Sequence, residues 1–275
     1  AVRLAVQRLV SLLPQQGQLF LGADSTEALD LSQEAPCEVV TFGLAKGADW
    51  RAANVVFDSA GVQFVVERQG ESVVEVRAPL AGAFNVRNIL AAFAVAANLG
   101  LDHGEISSSI GRFKGVKRRL EVRGRARGVT VYDDFAHHPT AVRETLLGVR
   151  AAFPSRRIWA LFEPRSASAC RRIFQDEFIG AFGSADEVVI GQVYRSSLPP
   201  CDRLDERLLV TGLRESGLRA RYIPEVSDIV RAVVDEAREG DLVVVMSNGA
   251  FGEIHNRLLA ALGSDQDEMR HQVLD

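Results

Sequence analysis

The chain has 275 residues, of which 47% are hydrophobic, and a formal net charge of −4. This length and apolar content suffice for one large domain or two ordinary ones. The acidic balance gives no general reason to expect a nucleic acid or an anionic membrane as partner, and no run of about 18 apolar residues indicates a membrane span. The cysteines Cys37, Cys170 and Cys201 are far apart and in no metal-ligand spacing, which is typical of a protein from a reducing compartment such as the cytoplasm.

Short apolar segments alternate with polar loops in the first part of the chain. They predict β-strands at "QLFLG" (18–22) and "CEVVTFG" (37–43), because runs of this length bounded by polar residues are typical of strands. Residues 62–78 are predicted to form a hairpin that turns near Gly70.

A helix is predicted at 82–100, with Asn85 as its N-cap and Gly100 at its C-terminal end. Asn85 and Asn88 are about one helical turn apart, so both can face one ligand. Each asparagine offers a donor and an acceptor, which suits the edge of an adenine ring.

A basic, glycine-punctuated segment at 111–128 separates this part from a more regular pattern. We place the domain boundary inside it, between residues 114 and 115. The predicted domains are therefore 1–114 and 115–275.

The arginines of this basic segment have two interpretations. Arg123, Arg125 and Arg127 alternate along a predicted strand, so they are expected on one solvated face. Arg118 and Arg119 lie at the predicted junction, where a guanidinium can clamp a phosphate of a ligand that sits on the other domain.

From about residue 128 the sequence alternates regularly between strand-like and helix-like segments. This pattern predicts a doubly wound, mostly parallel sheet. The predicted strands are "GVTVYD", "RIWALF", "EVVIG", "ARYIP" and "DLVVVMS".

Polar segments follow four of these strands, and ligands bind at the carboxyl ends of strands in open α/β sheets. The four segments are "DFAHHP", "EPRSAS", "QVYRSS" and "NGAFGEIH". Acids, arginines, histidines and a glycine-rich turn at one sheet edge predict a crevice for an anionic substrate.

The acidic and histidine pairs in "DFAHHP" also allow structural roles. Asp133 or Asp134 could cap the helix that begins near Pro139. Adjacent histidines point in different directions, so we assign function to His137 and expect a structural role for the other.

Glu163 and Arg165 flank Pro164 directly after a predicted strand. An arginine can bind a carboxylate with two parallel hydrogen bonds, and a glutamate can receive an ammonium group. They are predicted to lie in this crevice, and the alternative is a surface ion pair.

Three segments resemble the Mur ligase family. "GAFNVRNILAA" resembles its GxHNxxNxLAA signature, "FKGVKRRLEV" its domain-junction arginine segment, and "YDDFAHHPTAV" its DYxHxP segment. The resemblance implies an α/β protein in which the second half of a central ATPase domain precedes a doubly wound, Rossmann-like C-terminal domain.

The resemblance also implies roles for individual residues. His137 would lie near the transferring phosphate as a catalytic residue. The residues implied to bind ATP are Asn85, Asn88, Arg119 and Asp134, with Asp134 on the ribose. The residues implied to bind the substrates are Glu163, Arg165, Ser166 and Asn248.

The implied activity is that of an ATP-dependent amide ligase that works through an acyl phosphate with Mg²⁺. "FEPRSAS" and "VMSNGAFGEIHNRLL" resemble the members that join UDP-N-acetylmuramate to the murein tripeptide L-Ala-γ-D-Glu-meso-diaminopimelate in peptidoglycan recycling. They resemble the members that add L-alanine less closely, and L-alanine addition is the alternative.

The chain departs from the family pattern in several places. Phe84 stands where the family usually has a histidine, and no GxxGKT phosphate loop, magnesium-binding segment or UDP-binding domain is recognised. The resemblance therefore implies the C-terminal part of a larger enzyme, inactive by itself and partnered by the N-terminal region that supplies the metal ligands. A non-catalytic nucleotide-binding protein of the same descent is an alternative. A nucleic-acid-binding module is less favoured, because the basic run has no aromatic residue after Phe113.

Overall fold

The computed structural model describes residues 2–194 and 198–272, with side chains as far as residue 263. The chain forms two compact units, Ala1–Lys114 and Gly115–Asp275. No helix among the described residues is both long enough and apolar enough to cross a membrane.

The first unit is built on a mixed five-stranded sheet in the order β1-β2-β3-β4-β5. β1 to β3 are parallel neighbours, and β3, β4 and β5 pair antiparallel. The predicted hairpin is confirmed: Gln69 and Gly70 join β4 to β5 and both have positive φ, as the tightest hairpin turns require. The strands are β1 Gln18–Gly22, β2 Glu38–Gly43, β3 Trp50–Asp58, β4 Gly61–Arg68 and β5 Glu71–Ala78.

The helices of the first unit are α1 Val2–Ser11, α2 Thr26–Leu29, α3 Ala83–Asn98 and α4 His103–Gly111, and a 3₁₀ turn spans Asp30–Glu34. Asn85 is not the N-cap of α3, and that prediction was wrong. Gly82 caps the helix with φ of 92°, a conformation that favours glycine. Asn85 lies in the first turn, is buried, and donates from Nδ2 to the carbonyl of Ala81 at 2.8 Å.

The second unit contains a six-stranded sheet in the order β10-β9-β8-β11-β7-β6. Every pairing in it is parallel except that of the edge strand β6 with β7. The predicted doubly wound, mostly parallel sheet is therefore confirmed. The strands are β6 Glu121–Ala126, β7 Val129–Asp134, β8 Ile158–Phe162, β9 Glu187–Ile190, β10 Arg219–Tyr222 and β11 Leu242–Met246.

Helices cover both faces of this sheet. α5, α6 and α7 pack with one face, and α8 and α9 pack with the other. The central strand β11 is fully buried because alternate residues enter the two cores: Val244 belongs to the first and Val243 to the second. The helices are α5 Pro139–Ala152, α6 Gln175–Ile179, α7 Glu206–Glu215, α8 Val226–Glu236 and α9 Ile254–Gln272, with 3₁₀ turns at Arg172–Phe174 and Phe251–Glu253.

Arg123 and Arg125 of β6 are both exposed, whereas Arg127 follows the strand and is not. A bulge between Val122 and Gly124 breaks the alternation of the strand. Arg127 is half-buried and donates from Nη2 to the carbonyls of Val234 and Ala237 at the end of α8. The prediction of a solvated face was therefore wrong for Arg127.

Candidate functional site

Three neighbouring strands bring the predicted site segments to one edge of the second sheet. β11 lies between β7 and β8, and its last residue Met246 is in register with Asp134 and Phe162. The chain therefore leaves the sheet at the same level after each strand. Backbone hydrogen bonds from Glu163 to Met246 at 3.1 Å and from Ser247 to Asp134 at 3.1 Å extend this alignment by one residue.

Glu163 and Arg165 form the centre of the candidate site. Glu163 is buried, and its carboxylate accepts a 2.5 Å hydrogen bond from the hydroxyl of Ser247. Arg165 Nη1 lies 3.6 Å from the other carboxylate oxygen, and its guanidinium carbon lies 3.7 Å from the centre of the Tyr194 ring. The pair is therefore not the surface ion pair of the alternative interpretation.

The Arg165 side chain packs closely against Gly249. A Cβ atom at position 249 would lie 2.1 Å from Arg165 Nε, so only glycine leaves room for this arrangement. The amide of Gly249 also donates to the Ser247 hydroxyl oxygen at 2.9 Å. Asn248 lies between Ser247 and Gly249, and its buried Oδ1 has no hydrogen-bond partner among the described residues. A buried acceptor of this kind suits a residue predicted to bind a substrate.

Arg118 holds this loop from the other side. Its Nη2 donates to the carbonyls of Ser247 and Gly249, and its Nε lies 3.6 Å from Asp133. With these partners, Arg118 braces the loop after β11, and its role as a phosphate clamp stays a prediction.

The buried carboxylate of Asp133 lies close to three basic side chains, those of Arg118, Arg123 and His255. Arg123 lies 3.5 Å from one of its oxygens, and His255 Nε2 lies 3.4 Å from the other. Burial raises the pKa of Asp133, but the contacts with His255, Arg118 and Arg123 outweigh burial and hold the pKa below its ordinary value.

Asp134 is enclosed by the protein. Its carboxylate accepts hydrogen bonds from the amides of Leu120 and Ala136, both at 2.8 Å, and from the Thr145 hydroxyl at 3.2 Å. Burial raises the pKa of this group further than the hydrogen bonds lower it. These contacts are structural, and the ribose-binding role stays a prediction.

The two histidines of this segment have different surroundings. His138 caps α5, since its Nδ1 accepts from the amide of Thr140 at 3.4 Å; neither aspartate is the cap. His137 is half-buried and donates from Nδ1 to the carbonyl of Phe135 at 2.8 Å. Its Nε2 is then the ring nitrogen that can face a ligand, and its catalytic role stays a prediction.

The remaining predicted residues divide into exposed and structural ones. Arg119 is exposed, with its guanidinium carbon 6.0 Å from the Phe135 ring centre, and Asn88 is exposed on α3 of the first unit. Their contact with a nucleotide stays a prediction. Ser166 is buried and accepts from the amide of Ala169 at 2.9 Å, so it stabilises the turn after β8.

A cavity of about 480 Å³ opens beside Glu163 at the carboxyl ends of β8, β9, β10 and β11. Tyr194, Phe251 and Arg257 line it together with Glu163. It combines a buried carboxylate, a guanidinium and aromatic surface, as an amino-acid or peptide site requires. Part of the predicted "QVYRSS" segment, residues 195–197, lies outside the described residues.

No group of three or more histidine, cysteine, aspartate or glutamate side chains among the described residues is arranged to hold a metal ion. The ligands of the Mg²⁺ that the resemblance implies therefore stay a prediction.

Comparison with known families identifies both units. Residues 1–96 match the Mur ligase middle domain. Residues 118–249 match the domain described as Mur ligase, glutamate ligase domain. The chain belongs to the Mur ligase family. The family resemblance of the sequence motifs is therefore confirmed, and members of this family are ATP-dependent amide ligases.

Curated relatives include two UDP-N-acetylmuramate–L-alanine ligases. That of Verminephrobacter eiseniae is 34% identical, and the match covers 92% of the chain and 55% of the relative. That of Bordetella petrii is 35% identical, and the match covers 88% of the chain and 54% of the relative. Among solved structures, a murein peptide ligase from Psychrobacter arcticus is 28% identical, with a TM-score of 0.67 over 95% of the chain and 54% of its own. The chain thus spans about half the length of these Mur ligases.

These relatives change the order of the two acceptors that the sequence motifs suggest. The motifs rank the murein tripeptide first, whereas curated relatives at 30–35% identity add L-alanine. The comparisons therefore support L-alanine addition better than the tripeptide.

Sequence reasoning missed the residues that arrange the site. Ser247 ends a predicted strand directly beside Asn248, so its position in the sequence could have indicated a site residue. Its hydrogen bond to Glu163 could not be predicted from that position. Tyr194 lies in a segment that was recognised only as polar.

Proposed function

We propose that the complete protein joins the lactyl carboxylate of UDP-N-acetylmuramate to the amino group of an L-alanyl acceptor, with ATP as the energy source. One observation carries the acceptor side of this proposal. The buried carboxylate of Glu163 lines the cavity of about 480 Å³, and the guanidinium of Arg165 lies 3.6 Å from that carboxylate. They are complementary to the ammonium and carboxylate groups of an amino acid.

The chemistry follows from the family. A lactyl carboxylate oxygen attacks the γ-phosphorus of ATP, and ADP leaves with the bridging oxygen. The amino group, having lost a proton, attacks the carbonyl carbon of the acyl phosphate, and phosphate leaves with the former carboxylate oxygen. Bound Mg²⁺ would supply charge neutralisation at the phosphates.

The residues of this chain act by binding and orienting the reactants. Glu163 accepts hydrogen bonds from the incoming ammonium group, and Arg165 binds the acceptor carboxylate. His137 directs Nε2 toward the transferring phosphate. Asn88 and Arg119 bind the nucleotide, because both are exposed polar groups within the family's nucleotide motifs.

Free L-alanine is the first candidate acceptor, on the identity of the curated relatives. The murein tripeptide, which also begins with L-alanine, is the second. The cavity of about 480 Å³ beside Glu163 supports the tripeptide, since the cavity is far larger than one alanine. The similarity of a solved murein peptide ligase over 95% of the chain supports it as well.

The test is steady-state kinetics of the complete protein with ATP, Mg²⁺, UDP-N-acetylmuramate and either acceptor, measured as phosphate release. We expect release that requires UDP-N-acetylmuramate and an L-alanyl amine together. The larger kcat/KM identifies the natural acceptor. No dependence on either acceptor would refute the proposed function.

A further inference from the structure

A second cavity, of about 330 Å³, adjoins the cavity of about 480 Å³ beside Glu163. The two share Gln192 and Val193 in their walls, so they are neighbours along the carboxyl edge of the sheet. The second one lies between the ends of β9 and β10 and the start of α7, and Arg207 and Tyr222 line it.

The two carboxylates in the wall of this second cavity both accept hydrogen bonds from backbone amides. Asp205 caps α7 by accepting from the amides of Arg207 and Leu208 at 3.0 and 2.9 Å. Glu206 accepts from the amide of Val193 at 2.9 Å. Both carboxylates in the wall are thus bonded to backbone amides, which lowers their capacity to bind a cation.

The guanidinium groups in the wall have a different setting. Arg207 is exposed, with its guanidinium carbon 5.6 Å from the centre of the Tyr222 ring. Arg203 adds a second guanidinium to the same wall. A planar guanidinium held over an aromatic ring presents its donors in a fixed plane, which suits a carboxylate.

We propose that the second cavity binds a carboxylate in the distal part of a peptide acceptor whose L-alanyl end lies at Glu163 and Arg165. The inference rests on the proposed function and selects the second of its two candidate acceptors, the peptide. A free amino acid occupies the first cavity alone, whereas an extended peptide crosses Gln192 and Val193 and reaches Arg207. Selection for a peptide over L-alanine then depends on contacts made beyond the first residue.

The experiment is calorimetric titration of the 275-residue chain with four probes. They are L-alanine, the tripeptide L-Ala-γ-D-Glu-meso-diaminopimelate, the same tripeptide with its carboxylates amidated, and inorganic phosphate. The variant is Arg207→Gln. The matched control is Arg231→Gln, which removes an exposed arginine from α8 on the opposite face of the sheet. Melting temperatures of both variants check that the fold is kept.

We expect the tripeptide to bind more tightly than L-alanine and more tightly than its amidated form. Arg207→Gln should weaken tripeptide binding about tenfold, as the loss of a charged hydrogen bond implies, without changing the affinity for L-alanine. Arg231→Gln should change neither.

Equal tripeptide affinity in the wild type and Arg207→Gln overturns the inference. So does a tripeptide that binds no better than L-alanine, and in that case the proposed function stands. Inorganic phosphate that binds at Arg207 more tightly than the tripeptide also overturns it, because the cavity is then a phosphate site. If neither L-alanine nor the tripeptide binds the wild type, the acceptor role of Glu163 and Arg165 fails, and the inference fails with it.

Discussion

The hydroxyl of Ser247 donates a 2.5 Å hydrogen bond to the buried carboxylate of Glu163. This bond joins the loops that follow two neighbouring parallel strands, β11 and β8. The second carboxylate oxygen of Glu163 then faces Arg165, whose Nη1 lies 3.6 Å away. The geometry of the candidate acceptor site therefore depends on a residue that touches no substrate in the proposed mechanism.

Replacing Ser247 with alanine should lower the free energy of unfolding by about 1–3 kcal/mol, because a buried carboxylate loses a hydrogen-bond donor. Urea unfolding measures the change. Ser107→Ala is the control, since that half-buried serine donates a solvent-exposed hydrogen bond to the carbonyl of Glu75. The loss of this bond should cost less than about 0.5 kcal/mol. Equal costs for the two variants would contradict the assigned role of Ser247.

Gly249→Ala should affect acceptor binding more than stability. The new Cβ would lie 2.1 Å from Arg165 Nε and would force this flexible side chain away. In the complete protein we expect the acceptor KM to rise about tenfold, the loss expected for one charged hydrogen bond, with the KM for ATP unchanged. Arg165→Lys should act in the same direction, since lysine lacks the two-pronged geometry.

The control for Gly249→Ala is Gly183→Ala, because a Cβ at position 183 meets no atom within 4 Å. It should leave both KM values unchanged. An unaltered acceptor KM in Gly249→Ala and Arg165→Lys would remove Arg165 from the acceptor site.

Arg118→Lys should loosen the loop after β11. One ammonium group cannot replace the guanidinium that donates to the carbonyls of Ser247 and Gly249 and also faces Asp133. Faster amide hydrogen exchange at Gly249 is the expected result. Arg123→Lys, which changes a residue that also pairs with Asp133, should leave that rate unaffected, and a similar acceleration in both variants would argue against a specific brace.

Asp241 should contribute stability that disappears in acid. Its carboxylate bonds Arg157 at 2.6 Å and the indole nitrogen of Trp159 at 3.0 Å. Burial raises the pKa of Asp241, but these bonds and that from the amide of Arg238 outweigh it and hold the pKa below its ordinary value. A depressed pKa stabilises the folded state fully above the unfolded pKa of about 3.9, and the effect is lost as pH falls through the lower folded pKa.

Asp241→Asn should therefore destabilise the protein by about 1–3 kcal/mol at pH 7, and the difference from wild type should shrink below about pH 4. Urea unfolding at a series of pH values measures it. A difference that stays constant down to pH 2 would show that Asp241 stabilises the fold by a contact that does not depend on its charge.

The sequence predicts the location of the site well because it lies at strand ends. Each buried strand is a short apolar run, so the polar residues after it, such as Glu163 and Arg165, are placed by pattern alone. The partners of these residues are harder to predict. Arg118 reaches carbonyls more than 120 positions away in the chain, and no local pattern encodes such a contact.

Local conformation sets a second limit to prediction. Asn85 has a favourable N-cap side chain, but Gly82 takes the cap because its positive φ turns the chain three residues earlier. The bulge in β6 similarly interrupts an alternation that the sequence pattern presents as regular. Both features depend on backbone angles that the order of residue types does not specify.

The measurement that tests the central claim most directly is an isotope-transfer experiment on the complete protein. UDP-N-acetylmuramate labelled with ¹⁸O in its lactyl carboxylate is incubated with ATP, Mg²⁺ and either acceptor, and the released phosphate is analysed by mass spectrometry. An acyl phosphate intermediate predicts that each amide formed transfers one carboxylate oxygen to phosphate, so the label appears in phosphate only when an L-alanyl amine is present. Amide formation with unlabelled phosphate, or no amide at all, would contradict the assignment of this chain to a ligase of that mechanism.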